Sequence, residues 1–300
     1  MTLTLDWLGV STYRLKIDDL VIFLDAYLDR VPGAPPVGLR AAEVDRADYI
    51  FVGHSHFDHL WGAETIAHNT GAAVVGSYET IRIMHDEEVP EAQLVCVAGG
   101  ERIRLSDRVT VRVFPSQHSC IWAKAGKPDE VCLGEMGLSL QERHANLEAR
   151  PLRRQPSDRP GAAELQAHLQ ESDQHARGDG GALAFLIETP EGSVLWKDTS
   201  GHWTGILRDL RPDIALLAAA GRGNIDGDPI QGSLAQFVAR EVDLVRPRRV
   251  ALCHHDNWMP PFTRETDVEP IRSELARHFP HVEFLEMGYL EDMPVLSRDW

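Results

Sequence analysis

Cysteine and long apolar runs are scarce in this 300-residue sequence. No apolar run approaches the roughly 18 residues of a membrane-spanning helix. The chain enters its first strand straight after Met1, with no visible signal peptide. We therefore expect no membrane partner and a cytoplasmic location, which disfavours an exported antibiotic-degrading enzyme. The four cysteines show no paired spacing, which favours reduced thiols over a disulfide framework. They are Cys96, Cys120, Cys132 and Cys253.

Basic residues are also few, because 30 Lys and Arg stand against 46 Asp and Glu, which gives a net charge of −16. Nucleic-acid binding needs a basic footprint, so we expect no nucleic-acid partner and a small-molecule substrate instead. Net charge does not describe a pocket, so recognition of a phosphate by a local arginine stays open. The composition and length suit one globular domain over residues 1–300. A homo-oligomer is compatible with the sequence.

The densest group of ligand-type side chains runs from His54 to His59. It follows the apolar segment 47–52, which predicts a buried strand, and a glycine that permits a sharp turn. Side chains two apart on an extended segment face the same way, so His54 and His56 can reach one metal ion. After the turn, Asp58 and His59 can reach a second one. These ligand types suit zinc and other first-row ions, although a polar loop rich in histidine is the plainer interpretation.

The pattern His-x-His-x-Asp-His after an apolar strand resembles the signature of the metallo-β-lactamase fold superfamily. This resemblance implies an α/β protein with a four-layer αββα sandwich. It also implies three further ligands, each at the end of a later strand: a histidine, an aspartate that bridges the metals, and a last histidine. The sequence supplies His118 after the strand 109–115, Asp198 after the strand 193–197 and His254 after the strand 249–253.

Each of these three residues has another interpretation. His118 could be an ordinary loop histidine, and the Asp-Thr-Ser-Gly run that begins at Asp198 also suits a turn. For the last ligand, the resemblance to a His-x-Asp-Asn-aromatic run selects His254, whereas a slip of one residue would select His255. With one histidine as the ligand, His255 or Asp256 could orient the ligand imidazoles from behind.

The resemblance implies two divalent metal ions, zinc first, with Mn²⁺ or Fe²⁺ as alternatives. A metal-bridging hydroxide would cleave the substrate, so no serine or cysteine nucleophile is needed. The catalytic carboxylates would be Asp198, shared by both metals, and Asp58, which would carry the proton as the intermediate collapses. His54, His56 and His118 would hold one metal, and Asp58, His59 and His254 the other, with Asp198 between them.

Two terminal runs suggest a narrower relationship and a substrate class. The runs 5–13 and 254–258 are similar to those of the branch that contains L-ascorbate-6-phosphate lactonase. We therefore expect hydrolysis of a small ester-like substrate, a lactone ahead of a phosphodiester. Val10 stands where that branch usually has histidine, which predicts a different substrate. An iron-dependent oxidoreductase similar to the persulfide dioxygenases and a non-catalytic binding module stay as alternatives, and the complete ligand set argues against both.

One segment, at about 120–181, interrupts the alternation of strands and helices. Its middle is rich in proline and charge, and long segments of this kind are often functional, so we predict a lid over the site. The alternative is a solvent-exposed surface loop. Within the segment we predict a short polar helix over 164–174 and a hinge over 178–181. Candidates to line a pocket are Trp122, Met136 and His144.

Overall fold

The structure, a computed structural model, describes residues 2–123, 132–133, 136–148 and 160–297. The strands are β1 Thr2–Trp7, β2 Tyr13–Ile17, β3 Leu20–Leu24, β4 Tyr49–Phe51, β5 Ala73–Gly76, β6 Leu94–Cys96, β7 Arg102–Arg104, β8 Thr110–Pro115, β9 Cys132–Leu133, β10 Leu183–Thr189, β11 Gly192–Lys197, β12 Gly201–His202, β13 Ile214–Ala218, β14 Asn224–Ile225, β15 Asp228–Pro229, β16 Gln231–Gly232, β17 Arg249–Cys253, β18 Glu283–Leu285 and β19 Met293–Ser297.

The helices are α1 Phe57–Leu60, α2 Ala63–Thr70, α3 Tyr78–Asp86, α4 Leu140–Glu148, α5 Ala162–Glu171, α6 Thr204–Leu207, α7 Leu234–Val245 and α8 Glu269–His278. Short 3-10 turns lie at Ala41–Glu43 and Glu91–Gln93. Across the ranges that the structure describes, no helix combines the length and the apolar character needed to cross a membrane.

Two seven-stranded mixed sheets form the centre of the molecule. Their strand orders are β19-β1-β2-β3-β4-β5-β6 and β18-β17-β13-β11-β10-β8-β7. In each sheet an antiparallel half continues into a parallel half, which begins at β3 in the first sheet and at β11 in the second. Because parallel strands end on the same side of a sheet, the loops that follow them meet along one edge of the molecule.

The inner faces of the two sheets pack on each other, and helices cover both outer faces. Phe51 of β4 meets Phe185 of β10 with ring centroids 5.2 Å apart, and Trp196 of β11 stacks on Phe185 at 5.8 Å. All three side chains are fully buried. Helices α2 and α3 lie over the first sheet, and α7 and α8 lie over the second. This order of layers confirms the predicted αββα sandwich.

The α7 helix shows how the local sequence determines where a helix begins and which of its faces is buried. The Ser233 hydroxyl accepts the backbone N–H of Gln236 at 3.2 Å, and the Gln236 side chain accepts the backbone N–H of Ser233 at 3.0 Å. This reciprocal cap satisfies two N–H groups that a helix start leaves unpaired. From there, apolar residues at helical spacing, among them Phe237 and Val242, are buried against the second sheet.

The predicted insertion at 120–181 is described only in part, because 124–131, 134–135 and 149–159 lie outside the described residues. Its role as a lid therefore stays a prediction. The helix predicted over 164–174 is α5, and it is amphipathic rather than polar. Leu165 and His168 are buried in it, since both face the body of the protein. The Tyr27 hydroxyl and His168 Nε2 are 2.7 Å apart.

Candidate metal centre

All seven side chains that the sequence nominated converge at the edge where the strands of both sheets end. His54, His56, Asp58 and His59 follow β4, His118 follows β8, Asp198 follows β11 and His254 follows β17. Their possible ligand atoms form three groups, within each of which the atoms lie within 4.8 Å of one another. These groups are His54, His56 and His118; His54, His59 and Asp198; and Asp58, His59 and His254.

In the first group, backbone carbonyls orient two of the three imidazoles. His56 Nε2 donates to the carbonyl oxygen of Gly178 at 3.2 Å, and His118 Nδ1 donates to that of Ser119 at 3.0 Å. The opposite ring nitrogens are then acceptors, the form that binds a metal ion. His56 Nδ1 is one of these acceptor nitrogens, and it lies 2.9 Å from His54 Nε2. The two nitrogens are therefore close enough to bind the same ion.

The group of Asp58, His59 and His254 is built around the Asp58 carboxylate. Asp58 Oδ2 lies 3.3 Å from His254 Nε2 and 3.6 Å from His59 Nε2. Burial alone would raise the pKa of Asp58, but the adjacent His59 and His254 outweigh it and hold the pKa below its ordinary value. Asp58 is therefore ionised at neutral pH, as a carboxylate ligand must be.

Asp198 shares a group with His54 and His59, and it lies between the two groups just described. Its Oδ2 is 2.5 Å from His54 Nδ1 and 3.4 Å from His59 Nδ1. Its Oδ1 is buried and has no hydrogen-bond partner in the described part of the chain. Burial and the nearby Asp25 raise the pKa of Asp198 to about 8. A buried carboxylate with an unsatisfied oxygen calls for a positive partner, so this residue fits a metal ion.

The protonation of His54 also suits metal binding. Burial and the surrounding imidazoles lower the pKa of His54 well below its ordinary value. The ring is thus neutral, and neutral imidazole is the species that coordinates first-row metals. Together with the unsatisfied oxygen of Asp198, this makes the donor set chemically suited to divalent cations.

Asp25 belongs to this centre, although the sequence did not single it out as a site residue. Its Oδ2 lies 2.6 Å from His59 Nδ1 and accepts the Ser11 hydroxyl at 2.5 Å, while its Oδ1 accepts the backbone N–H of Gly53 at 2.9 Å. Asp25 therefore orients the His59 ring and the turn after β4 at once. The available signal was its position directly after β3, the strand that pairs in parallel with β4.

We expect Asp25→Asn to weaken metal binding by about 10–100-fold, the usual cost of losing a carboxylate that orients a ligand histidine. An amide keeps only one acceptor oxygen, so its NH2 group would face either the Gly53 N–H or the His59 N–H and the Ser11 hydroxyl, all of which are donors. The apparent dissociation constant can be measured by competition with a chelating dye. The exposed Asp45→Asn is the matched control. Equal metal affinities in the two variants would contradict this role for Asp25.

Gly53 is required where β4 turns into the histidine-rich segment. A Cβ at this position would lie 2.1 Å from Asp198 Oδ2 and 2.7 Å from its Cβ. These contacts are far shorter than any real one, so a side chain here must push the Asp198 carboxylate away. The glycine is therefore needed for the close approach of two loops rather than for a left-handed backbone conformation.

We expect Gly53→Ala to lower metal content and to reduce catalytic activity by about 10²-fold, the effect of displacing a reacting group by about 1 Å. Gly205 provides a matched control, because a Cβ there meets nothing within 4 Å. Elemental analysis and activity of the two alanine variants, compared with the wild type, test the difference. Normal metal content in Gly53→Ala would show that the Asp198 loop can shift freely.

The predicted hinge at 178–181 is tied to the metal centre by hydrogen bonds. The carbonyl oxygen of Gly180 accepts from the Ser55 N–H at 3.1 Å, the Ser55 hydroxyl at 3.0 Å and the Ser77 hydroxyl at 3.2 Å. The Gly178 carbonyl accepts from His56. The C-terminal end of the insertion therefore stabilises the turn that carries the histidines.

His255 and Asp256, the alternative residues of the last run, anchor the N-terminal turn rather than a ligand imidazole. The His255 ring stacks on Trp7 with centroids 4.6 Å apart. Asp256 Oδ2 accepts from the Tyr289 hydroxyl at 2.7 Å and from Arg30, and its Oδ1 accepts the backbone N–H of Val10 at 3.2 Å. The structure therefore places His254, and not His255, beside the other ligand atoms.

Val10, the residue that replaces the expected histidine, is fully buried in an apolar cluster. Its neighbours there include Tyr27, Trp258 and Met259. Its carbonyl oxygen accepts the backbone N–H of His254 at 2.6 Å. Val10 thus contributes packing and a backbone contact to the site, and no polar side chain.

A cavity of about 330 Å³ opens beside the ligand groups. Ile121 lines it, whereas the predicted Trp122, Met136 and His144 do not. Trp122 instead lies under the Arg143 guanidinium, 4.2 Å from the ring centroid. Its lining includes four residues of the candidate ligand groups, His56, Asp58, His118 and His254, and the apolar Phe57, Leu169, Trp258 and Met259.

Residues 21–145 match a family model described as the beta-lactamase superfamily domain. A UPF0173 metal-dependent hydrolase of Pyrobaculum neutrophilum is 32% identical over 122 residues, which are 41% of this chain and 52% of that protein. The chain thus spans about half the length of this relative. A UPF0173 metal-dependent hydrolase of Caldivirga maquilingensis is 29% identical over 296 residues, which are 97% of this chain and 98% of that one.

Among solved structures, Igni18, a metallo hydrolase from the archaeon Ignicoccus hospitalis, shares the fold. It aligns with a TM-score of 0.60 over 99% of this chain and 98% of its own, at 15% sequence identity. At this identity the similarity concerns the architecture alone. It extends the agreement beyond the matched 125 or so residues to both sheets and their helices.

Proposed function

We propose that this chain is a metal-dependent hydrolase of the metallo-β-lactamase fold superfamily, with two divalent ions, zinc first and Mn²⁺ or Fe²⁺ as alternatives. The match of residues 21–145 to the beta-lactamase superfamily domain supports the family. The observation that carries the proposal is the pair of adjoining ligand groups, joined by Asp198, beside one cavity. His54, His56 and His118 would hold one ion, and Asp58, His59 and His254 the other. The narrower relationship to the lactonase-like branch stays a prediction.

Two ions held in this way would supply an activated water at neutral pH and a Lewis acid for the substrate oxygen. The residues of the chain determine where that chemistry happens. Asp198 is almost completely buried, which suits a bridging role away from substrate. Asp58 is the ligand carboxylate that lines the cavity, so it is the one that a substrate can reach. We therefore propose that Asp58 Oδ2 takes up the proton that the attacking water gives up and passes it to the leaving oxygen of the substrate.

We favour a small ester-like substrate, with a lactone ahead of a phosphodiester. A lactone needs no strong general acid if its leaving alkoxide is stabilised by charge. The alternative is a phosphodiesterase with the same ligand set, and the net charge of −16 argues against a polymeric phosphodiester. An iron-dependent oxidoreductase of the persulfide dioxygenase kind would use a single ion and fewer ligands, which leaves the Asp58, His59 and His254 group unexplained.

Metal content and a substrate panel test the proposed function. Protein purified gently from defined medium should contain two metal ions per chain by elemental analysis. A metal-replete sample should open δ-valerolactone or cleave p-nitrophenyl acetate, and a chelator should remove this activity. Turnover of bis(p-nitrophenyl) phosphate with no ester cleaved would reverse the ranking of substrates. One ion or none per chain, with no hydrolysis of any compound, would refute the proposal.

A further inference from the structure

We propose that the natural substrate is uncharged and carries a compact apolar group, which packs on a wall formed by Phe57, Leu169, Trp258 and Met259. These four residues form the apolar wall. The inference rests on the proposed hydrolytic function and specifies its substrate. It separates neutral esters and lactones from phosphorylated or carboxylated ones.

The apolar wall is held in place by the protein behind it. Trp258 is 9% and Met259 4% exposed, and both belong to a buried cluster with Val10 and Tyr27. The Tyr27 ring contacts Phe57 and Trp258 edge to face, with centroids 5.8 and 6.2 Å away. A wall that is already packed loses little conformational entropy when a ligand covers it, so its apolar surface can contribute to binding.

The apolar wall is continuous with the metal-ligand groups. Trp258 contacts the His254 ring edge to face, with centroids 5.3 Å apart. His56, Asp58, His118 and His254 line the same cavity as the wall. A substrate whose apolar part lies on the wall therefore has its neighbouring ester group beside the ligand atoms. The wall is thus placed to select the part of the substrate next to the reacting bond.

The charges around the cavity disfavour an anionic substrate. Among the described residues that line it, none is lysine or arginine, and the charged residue besides the ligands is Asp173. Arg30 lines a different cavity and is paired with Asp256 and Tyr289. A phosphate or carboxylate on the part of the substrate away from the reacting bond would therefore meet no guanidinium or ammonium group among these described lining residues, which costs binding energy. The net charge of −16 acts in the same direction at longer range.

Two matched ester series test the inference through the same scissile bond. In the p-nitrophenyl esters of acetate, butyrate and hexanoate, kcat/KM should rise about fourfold for each added methylene until the cavity is filled. Mono-p-nitrophenyl glutarate, which ends in a carboxylate, should react at least tenfold more slowly than the hexanoate ester. In Leu169→Ala the gain in kcat/KM with chain length should shrink. The exposed Leu140→Ala is the control and should keep the full gain.

A binding measurement separates this inference from the hydrolytic function. The neutral dye prodan, whose emission reports an apolar environment, should bind to the purified protein, and a neutral lactone should displace it more readily than a phosphate ester. Leu169→Ala should weaken dye binding, and Leu140→Ala should not. Binding with this pattern but without hydrolysis of any ester would refute the proposed function and support the wall. Equal use of the hexanoate and glutarate esters, or dye binding that Leu169→Ala leaves unchanged, would overturn the inference.

Discussion

The substitution Asp198→Ala is expected to reduce bound metal from two ions per chain to one or none and to abolish hydrolysis. Asp198 Oδ2 lies between His54 and His59, and its Oδ1 is buried without another partner in the described residues. Removal of this carboxylate would take a ligand from both proposed ions at once. His56→Ala should be as harmful, since it removes a ligand from the first group. Elemental analysis and ester turnover of the purified variants give the two readouts.

The control must show that Asp198→Ala remains folded. Burial and Asp25 raise the pKa of Asp198 to about 8, so the folded metal-free chain keeps this carboxyl protonated at pH values where the unfolded chain ionises it. The free energy of unfolding of the metal-free chain therefore falls as the pH rises above the ordinary aspartate pKa. In excess chelator near neutral pH, the variant should therefore unfold at a temperature equal to or above that of the wild type. The exposed Asp209→Ala should keep both ions and full activity. Two ions and normal turnover in Asp198→Ala would show that the assignment is wrong.

His254→Ala and His255→Ala are expected to differ sharply although the residues are neighbours. His254 Nε2 faces Asp58 at 3.3 Å and lines the cavity, so its loss should remove the second ion and lower kcat/KM by at least about 10²-fold. His255 stacks on Trp7, so its loss should keep both ions and lower the free energy of unfolding by about 0.5–1.5 kcal/mol.

Metal content and thermal unfolding of both variants decide between the two residues. Loss of metal only in His255→Ala would mean that the register of the last ligand is wrong by one residue. Equal loss in both would mean that the turn after β17, rather than one imidazole, controls the second ion.

The sequence by itself determined the kind of fold and the residue types of the candidate site. The strands predicted over 193–197 and 249–253 agree with β11 and β17 because buried parallel strands are continuous apolar runs. The cluster from His54 to His59 was visible because its members are neighbours in the chain. His118, Asp198 and His254 could be nominated because the resemblance to the metallo-β-lactamase fold superfamily implies a metal ligand at the end of each of three later strands.

Only the tertiary structure decided which neighbours support those side chains. Asp25 and His59 are far apart in sequence, and they meet because β3 and β4 pair in parallel. Likewise, His254 rather than His255 faces the site because the turn after β17 places His254 at a φ of 60° and bonds its N–H to Val10. That carbonyl comes from the other end of the chain, and local periodicity cannot report such a contact.

The lining of the cavity could not be predicted from the sequence either. Trp122, Met136 and His144 were plausible lining residues by their position in the insertion, yet the lining comes from elements distant in sequence, such as Phe57 in α1, Leu169 in α5 and Trp258 after β17. Residue type and order can be read from a chain because they depend on local chemistry. The surface that a substrate meets depends on which distant segments pack side by side, and that is set only when the two sheets and their loops come together.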